Sequence, residues 1–149
     1  MQPKIVKKDT LHITGLTGVG NKTGELWNDF DSQYKSAPFL KSDNCGYEIR
    51  FYDGEDIHVG FAETSPDKAT SFTTISLPAA EYAVFDVYVA KGYDSGNAEM
   101  DHWLADNSAQ FKQLQLNGQL FIIECYNEKF KGGDKQDSIV EMWIPLSRL

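Results

Sequence analysis

The sequence predicts an α+β fold: a duplicated β-α-β-β unit that forms a curved antiparallel sheet, with two helices on one face and a ligand pocket between the halves. Three observations lead there. The 149 residues, 41% hydrophobic and 13% aromatic, suffice for one packed core. The apolar period switches from two to helical spacing and back, and does so twice, giving strand, helix, strand, strand in each half. Arg50 and Tyr52 stand 74 positions before Glu124 and Tyr126, and the helices that carry Trp27 and Trp103 occupy corresponding places. Residues 1–149 are thus read as a single domain with halves of about 1–70 and 71–149.

Each element follows from local pattern. Leu11-His12-Ile13-Thr14-Gly15-Leu16 alternates as a strand does, and Gly18-Val19-Gly20-Asn21 ends it. Thr23 is placed to cap a helix with Glu25 in its first turn. Leu26, Trp27, Phe30 and Tyr34 share one face of that helix, which runs over about 24–35 and is closed by Pro38. Tyr47 to Tyr52 and Ile57 to Phe61 read as strands, with the Asp-Gly turn signal of Asp53-Gly54-Glu55-Asp56 between them.

The second half repeats the order. Phe72 to Ile75 and Glu81 to Val89 read as strand, interrupted by Leu77-Pro78-Ala79-Ala80. Gly92 to Gly96 turns, and Met100, Trp103, Leu104 and Phe111 line one face of a helix near 97–106. Leu120 to Tyr126 is a strand, Lys131 to Asp134 a loop, and Ile139 to Pro145 a final strand. Pro145 suits an end or edge there, because it has no N–H to give a ladder.

Charge and composition narrow the function. Twenty-two acidic residues against 14 basic ones give a net charge of -8. Proteins that neutralise nucleic-acid phosphates concentrate Lys and Arg on one surface. Here the one basic cluster, Lys4, Lys7 and Lys8, reads as a solvated strand face, so direct nucleic-acid binding is not expected. An acidic field favours cationic ligands. The first residues lack the apolar stretch of a secretory leader, and no run is long enough to span a bilayer. Cys45 and Cys125 lie 80 positions apart with no metal-ligand spacing. The expectation is a cytoplasmic chain with two reduced thiols, no membrane association, no metal and no cofactor.

The motifs that carry catalytic chemistry are missing or broken. In Gly15-Leu16-Thr17-Gly18-Val19-Gly20-Asn21-Lys22-Thr23, Asn21 separates the lysine from the glycine it must follow in a phosphate-binding loop. Asp86 is no metal-binding end of a strand, because Val87-Tyr88-Val89 continues it. His12, His58 and His102 are scattered, and no nucleophile elbow occurs.

Glu124 stands apart. It lies in Phe121-Ile122-Ile123-Glu124-Cys125-Tyr126, a run that reads as a strand covered on both faces. A carboxylate there is on a wet face, paired with Lys or Arg, or functional, since burying an ionised carboxylate alone is expensive. Tyr126 shares its strand face by the two-residue period. An aromatic ring beside a desolvated carboxylate suits a flat organic cation, which gains ring contact, cation–π attraction and a counter-charge together.

Several segments taken in order resemble the GyrI-like effector-binding domain family, which occurs C-terminally in AraC/XylS-type and MerR-type multidrug regulators and also alone. They are Ile13-Thr14-Gly15-Leu16, Leu26-Trp27-Asn28-Asp29-Phe30, Tyr47-Glu48-Ile49 with Val59-Gly60, Leu77 to Phe85, Glu124-Cys125-Tyr126, and Glu141 to Leu146. The resemblance implies the duplicated fold with a pocket between its halves, and a glutamate at Glu124 facing lipophilic cations. It makes Tyr126 and Trp143 wall candidates, with Tyr82, Phe85 and Trp103 as further candidates that the packed core also claims.

Regulators of this kind carry an N-terminal helix-turn-helix, for which this chain leaves no room, so a standalone ligand binder for hydrophobic cationic compounds is the leading expectation. The resemblance leaves two alternatives: a hydrolase of reactive electrophilic small molecules with Glu124 as general acid or base, and a module that binds DNA gyrase. A regulator or topoisomerase partner and a homodimer remain compatible with it.

Overall fold

The structure, a computed structural model, describes residues 2–52, 56–66 and 71–149. The predicted turn at Asp53-Gly54-Glu55 lies outside the described residues. The elements run β1 (Lys4–Lys8), β2 (Leu11–Val19), α1 (Thr23–Ser36), β3 (Lys41–Phe51), β4 (Asp56–Glu63), β5 (Thr73–Leu77) and β6 (Ala80–Tyr88). They continue as α2 (Tyr93–Asp106), β7 (Phe111–Gln113), β8 (Gln115–Leu116), β9 (Gln119–Tyr126) and β10 (Ile139–Arg148). The α+β class, the antiparallel curved sheet and the repeated order are all as the sequence predicts.

The strands lie in the order β1-β6-β10-β9-β3-β4-β2-β5, with every pair antiparallel. The central ladder joins β3 to β9 and pairs Glu48 with Glu124, Ile49 with Ile123, and Arg50 with Ile122. An offset of 74 residues maps this ladder onto itself about the Ile49–Ile123 pair, so the repeat seen in the sequence is a pseudo-two-fold axis in space. The outer strands are exchanged between the halves. β1 precedes β2 but pairs with β6, and β5 precedes β6 but pairs with β2.

Register decides which residues share a face. Leu16, Val59, Glu48, Glu124, Met142 and Phe85 form one row across six strands. The adjacent row, Thr17, His58, Ile49, Ile123, Trp143 and Val84, points the other way. Both helices cover the first face: α1 through Phe30 against Ile57 and Val59, α2 through Met100 against Phe85, Val87 and Met142. The second face closes on its own side chains, Ile13, Tyr47, Ile49, Leu77, Tyr82, Phe121, Ile123 and Trp143. Cys125 belongs to this cluster and Cys45 packs against it.

Some local expectations need correction. Thr23 is the first helical residue rather than the cap, and its hydroxyl donates 2.8 Å back to the Gly20 carbonyl. The second helix starts at Tyr93 rather than 97, entered through Gly92 at φ 84°, a conformation that only glycine adopts without strain. Phe111 reaches the α2 core from β7, not from the helix. The helices correspond, and Phe30 and Met100 are their equivalent buried residues, but Trp27 and Trp103 are not equivalent positions.

Pro145 lies in an interior strand, between β6 and β9, rather than at an edge. It is tolerated because β10 leaves β9 after Trp143 and joins β7 at Leu146. The missing N–H falls at that break, where the Pro145 carbonyl accepts from Leu114 N–H at 2.9 Å. No helix among the described residues is long and apolar enough to cross a membrane.

Candidate functional site

A cleft of about 850 Å³ opens on the helix-bearing face at the seam between the halves. Its floor is the centre of the sheet, Glu48, Arg50, Ile122, Glu124, Tyr126 and Met142. Its walls come from the starts of the two helices, including Thr23, Tyr93 and Asn97. The helices bury their apolar faces against the wings of the sheet, so the two-fold seam is left uncovered by either.

The seam is where the sequence places charge. Glu48 and Glu124 face each other across β3 and β9, each 3% exposed. Arg50 lies between them: its Nε–H donates to Glu124 Oε2, and its Nη2 donates to Glu48 Oε1 at 2.8 Å. Two other donors complete the carboxylates. Tyr126 Oη–H reaches Glu124 Oε1 at 2.9 Å, and Trp27 Nε1–H reaches Glu48 Oε2 at 2.7 Å. Tyr93, on α2, lines the cleft beside Tyr126, and the bonded network reaches α1 through Trp27.

The electrostatics follow from two carboxylates sharing one guanidinium. Burial, then the neighbouring Glu48 charge, push the Glu124 carboxyl above its ordinary range, against the pull of Arg50 and Tyr126. Burial alone depresses the Arg50 guanidinium, but Glu124 and Glu48 outweigh it and hold the group protonated. Burial and the charge of Glu124 also raise the Tyr126 phenol, so it stays a donor. With Asp56, the lining carries three carboxylates against Arg50, an excess of negative charge. The first turns of both helices border the cleft, and their free N–H groups offset part of that excess.

The candidate residues separate into two groups. Glu124 and Tyr126 line the cleft together. Trp143 and Tyr82 project from the opposite face, where their rings meet edge to face at 5.8 Å and the Tyr82 hydroxyl donates to the Pro78 carbonyl. Phe85 is on the helix face but sits under α2 with Trp103, at 5.9 Å between ring centroids.

Sequence reading passed over Glu48 and Tyr93 and left Arg50 without a role. Glu48 and Arg50 are two apart in one strand and therefore share a face, which was a usable signal. Tyr93 had none, since its segment reads as a turn. A smaller cleft of about 480 Å³ beside the start of α2 is lined by Lys4, Asp86, Lys91 and Glu99, all exposed, and contains no buried ionisable group. Among the described residues no three His, Cys, Asp or Glu side chains gather as metal ligands.

No family model matches the sequence, and no curated protein does. The fold, by contrast, recurs in solved structures. SAV2435 bound to tetraphenylphosphonium superposes with a TM-score of 0.67 at 18% identity, over 99% of this chain and 94% of that one. A candidate transcription regulation protein from Staphylococcus aureus MU50 gives 0.63 at 16%, over 99% of both chains. EcmrR, in its complex with DNA, gives 0.71 at 9%, with this chain spanning 58% of that one. At these identities the likeness is one of fold, and it is the fold that the resemblance in sequence implied.

Proposed function

We propose that this chain binds lipophilic organic cations in the cleft over Glu48, Arg50 and Glu124, as a ligand-binding domain akin in fold to the effector domains of transcription regulators. The observation that carries the reading is the charge imbalance at the seam: two carboxylates almost wholly removed from water share one guanidinium. A monovalent cation brings that centre to neutrality. Desolvated charges attract it far more strongly than surface charges do, because the effective dielectric there is lower.

Tyr52, Tyr93 and Tyr126 line the cleft with aromatic surface near the carboxylates, which suits a cation with organic substituents. In this reading Glu124 and Tyr126 contact the ligand directly. Trp143, Tyr82, Phe85 and Trp103 act through the packing that holds the sheet and α2. That SAV2435, with the same fold, was captured with tetraphenylphosphonium gives the reading a chemical precedent.

The test is calorimetry with ions matched in size and opposite in charge. Tetraphenylphosphonium should bind and tetraphenylborate should not. Equal affinity for both, or preference for the borate, would show that the carboxylates do not select the ligand.

A further inference from the structure

We propose that Arg50 is a tethered competitor for the cation site, so that a ligand engages Glu124 only by exchanging with the chain's own guanidinium. The proposal rests on the cation-binding reading above and adds a residue that sets its affinity.

Three features point to exchange rather than to a permanent ion pair. The first is access. The Arg50 side chain is 34% exposed while those of Glu48 and Glu124 are each 4% exposed, so the guanidinium lies on the cleft side and meets an incoming ligand first. The second is that each carboxylate keeps a donor when Arg50 moves. Tyr126 holds Glu124 Oε1 and Trp27 holds Glu48 Oε2, so the arrangement survives without the arginine. The third is that Arg50 has somewhere to remain. Its Nη2 is bonded to Glu48 at 2.8 Å and lies 3.5 Å from the Thr23 hydroxyl, so releasing Nε from Glu124 leaves the guanidinium anchored.

An internal cation of this kind lowers affinity for every cationic ligand by the bond that must be broken. It also speeds release, because the arginine returns without diffusing. The pseudo-two-fold axis accounts for its position: Arg50 and Glu124 are equivalent residues of the two halves, and equivalent residues close to such an axis meet across it.

The test separates competition from net charge. The double variant Glu48→Gln with Arg50→Met keeps the formal charge of the centre, one carboxylate in place of two carboxylates and a guanidinium, yet frees Glu124 of its arginine. Tetraphenylphosphonium should bind this variant at least about tenfold more tightly than the wild type, the factor one charge-assisted hydrogen bond accounts for. Arg50→Lys, which restores a tethered cation, should return affinity towards the wild type. The neutral triphenylphosphine oxide should show no such gain, which a merely structural effect on the cleft would not reproduce. If the double variant fails a melting control, Glu48→Gln with Arg50→Gln, of the same formal charge, takes its place with the same expectation. Affinity equal to or below that of the wild type overturns the proposal while leaving cation binding intact. Absence of tetraphenylphosphonium binding to wild type and variants alike overturns the cation reading itself and this proposal with it.

Discussion

Glu124→Gln should leave the protein at least as stable as the wild type at neutral pH, although it removes half of an ion pair. The structure lets the opposing effects be weighed. Gln can accept from Arg50 through its amide oxygen and donate to the Tyr126 hydroxyl through its NH2, so one bond to a charged acceptor becomes a bond to a neutral one and the other reverses. Each such change costs about 1–1.5 kcal/mol, so the loss is about 2–3 kcal/mol. Against this, Glu48 and Glu124 are directly paired across the central ladder. Unit charges about 5.5 Å apart at an effective dielectric of about 20 repel by about 3 kcal/mol, which about offsets the attraction to Arg50 that is lost with the charge. Desolvation of a 3%-exposed carboxylate adds several kcal/mol more in favour of the neutral side chain.

The balance falls on the side of Gln by on the order of 1 kcal/mol or more, and the upward displacement of the Glu124 pKa has the same sign. Between the ordinary glutamate pKa and the raised folded one, the native state therefore holds a proton that the unfolded chain has released. The wild type is most stable relative to the variant below the ordinary glutamate pKa and loses that advantage as pH rises through the folded one. Urea unfolding of both proteins from about pH 4 to pH 8 should show curves that converge at the acid end and separate, in favour of Gln, at the other. A variant destabilised by several kcal/mol at neutral pH would refute the reasoning and make the Arg50–Glu124 pair a structural one.

His58 should act with the opposite sign. It is fully buried, Nε2–H donates to the Ile13 carbonyl, and in the neutral ring that burial favours, Nδ1 accepts from the Thr17 hydroxyl. Burial lowers its pKa, against the bond to Ile13, and stability is therefore lost as pH falls below the ordinary histidine value of about 6.5. His58→Phe should abolish that slope and cost about 1–3 kcal/mol at neutral pH, because the Ile13 carbonyl loses its donor. Two alanine substitutions should diverge in thermal melts. At Gly15 a Cβ would lie 1.8 Å from the Val59 carbonyl oxygen and 2.8 Å from Gly60 Cα, backbone that cannot yield, so Gly15→Ala should cost about 3 kcal/mol or more. At Gly24, in the first turn of α1, a Cβ meets nothing within 4 Å, and Gly24→Ala should gain up to about 1 kcal/mol. Equal melting shifts for the two would contradict the close approach of β2 and β4.

What the sequence disclosed was local or repeated, and what it withheld was register. Period and turn residues placed α1 and the long strands, because 3.6- and 2-residue spacings leave marks on any amphipathic segment. β7 and β8, at three and two residues, are too short to show a period, although Asn117-Gly118, both at positive φ, was a usable hairpin signal between β8 and β9. The exchange of β1 and β5 is a long-range pairing with no local trace.

The same limit explains the wall candidates. Trp143 and Glu124 lie on different strands, and only the pairing of Met142 with Glu124 reveals that the indole points to the far face. Glu124 itself was legible, because a charge inside an apolar run conflicts with the cost of burial. Its partner was half legible: the 74-residue offset matched Arg50 to Glu124 as equivalents without showing that the axis brings them together.

The central claim is that the Glu124 charge, at the floor of the cleft, selects the ligand, and proton-linked titration tests it most directly. Tetraphenylphosphonium affinity should be measured for the wild type and Glu124→Gln from about pH 4 to pH 8, in buffers of different ionisation enthalpy. Wild-type affinity should rise with pH through the folded pKa of Glu124, with proton release on binding while that group is part-protonated. Glu124→Gln should bind more weakly by about 2–5 kcal/mol at the alkaline end and show little dependence on pH. Wild-type affinity that is flat across the range, or a Gln variant that binds the cation as well as the wild type does, would contradict the account.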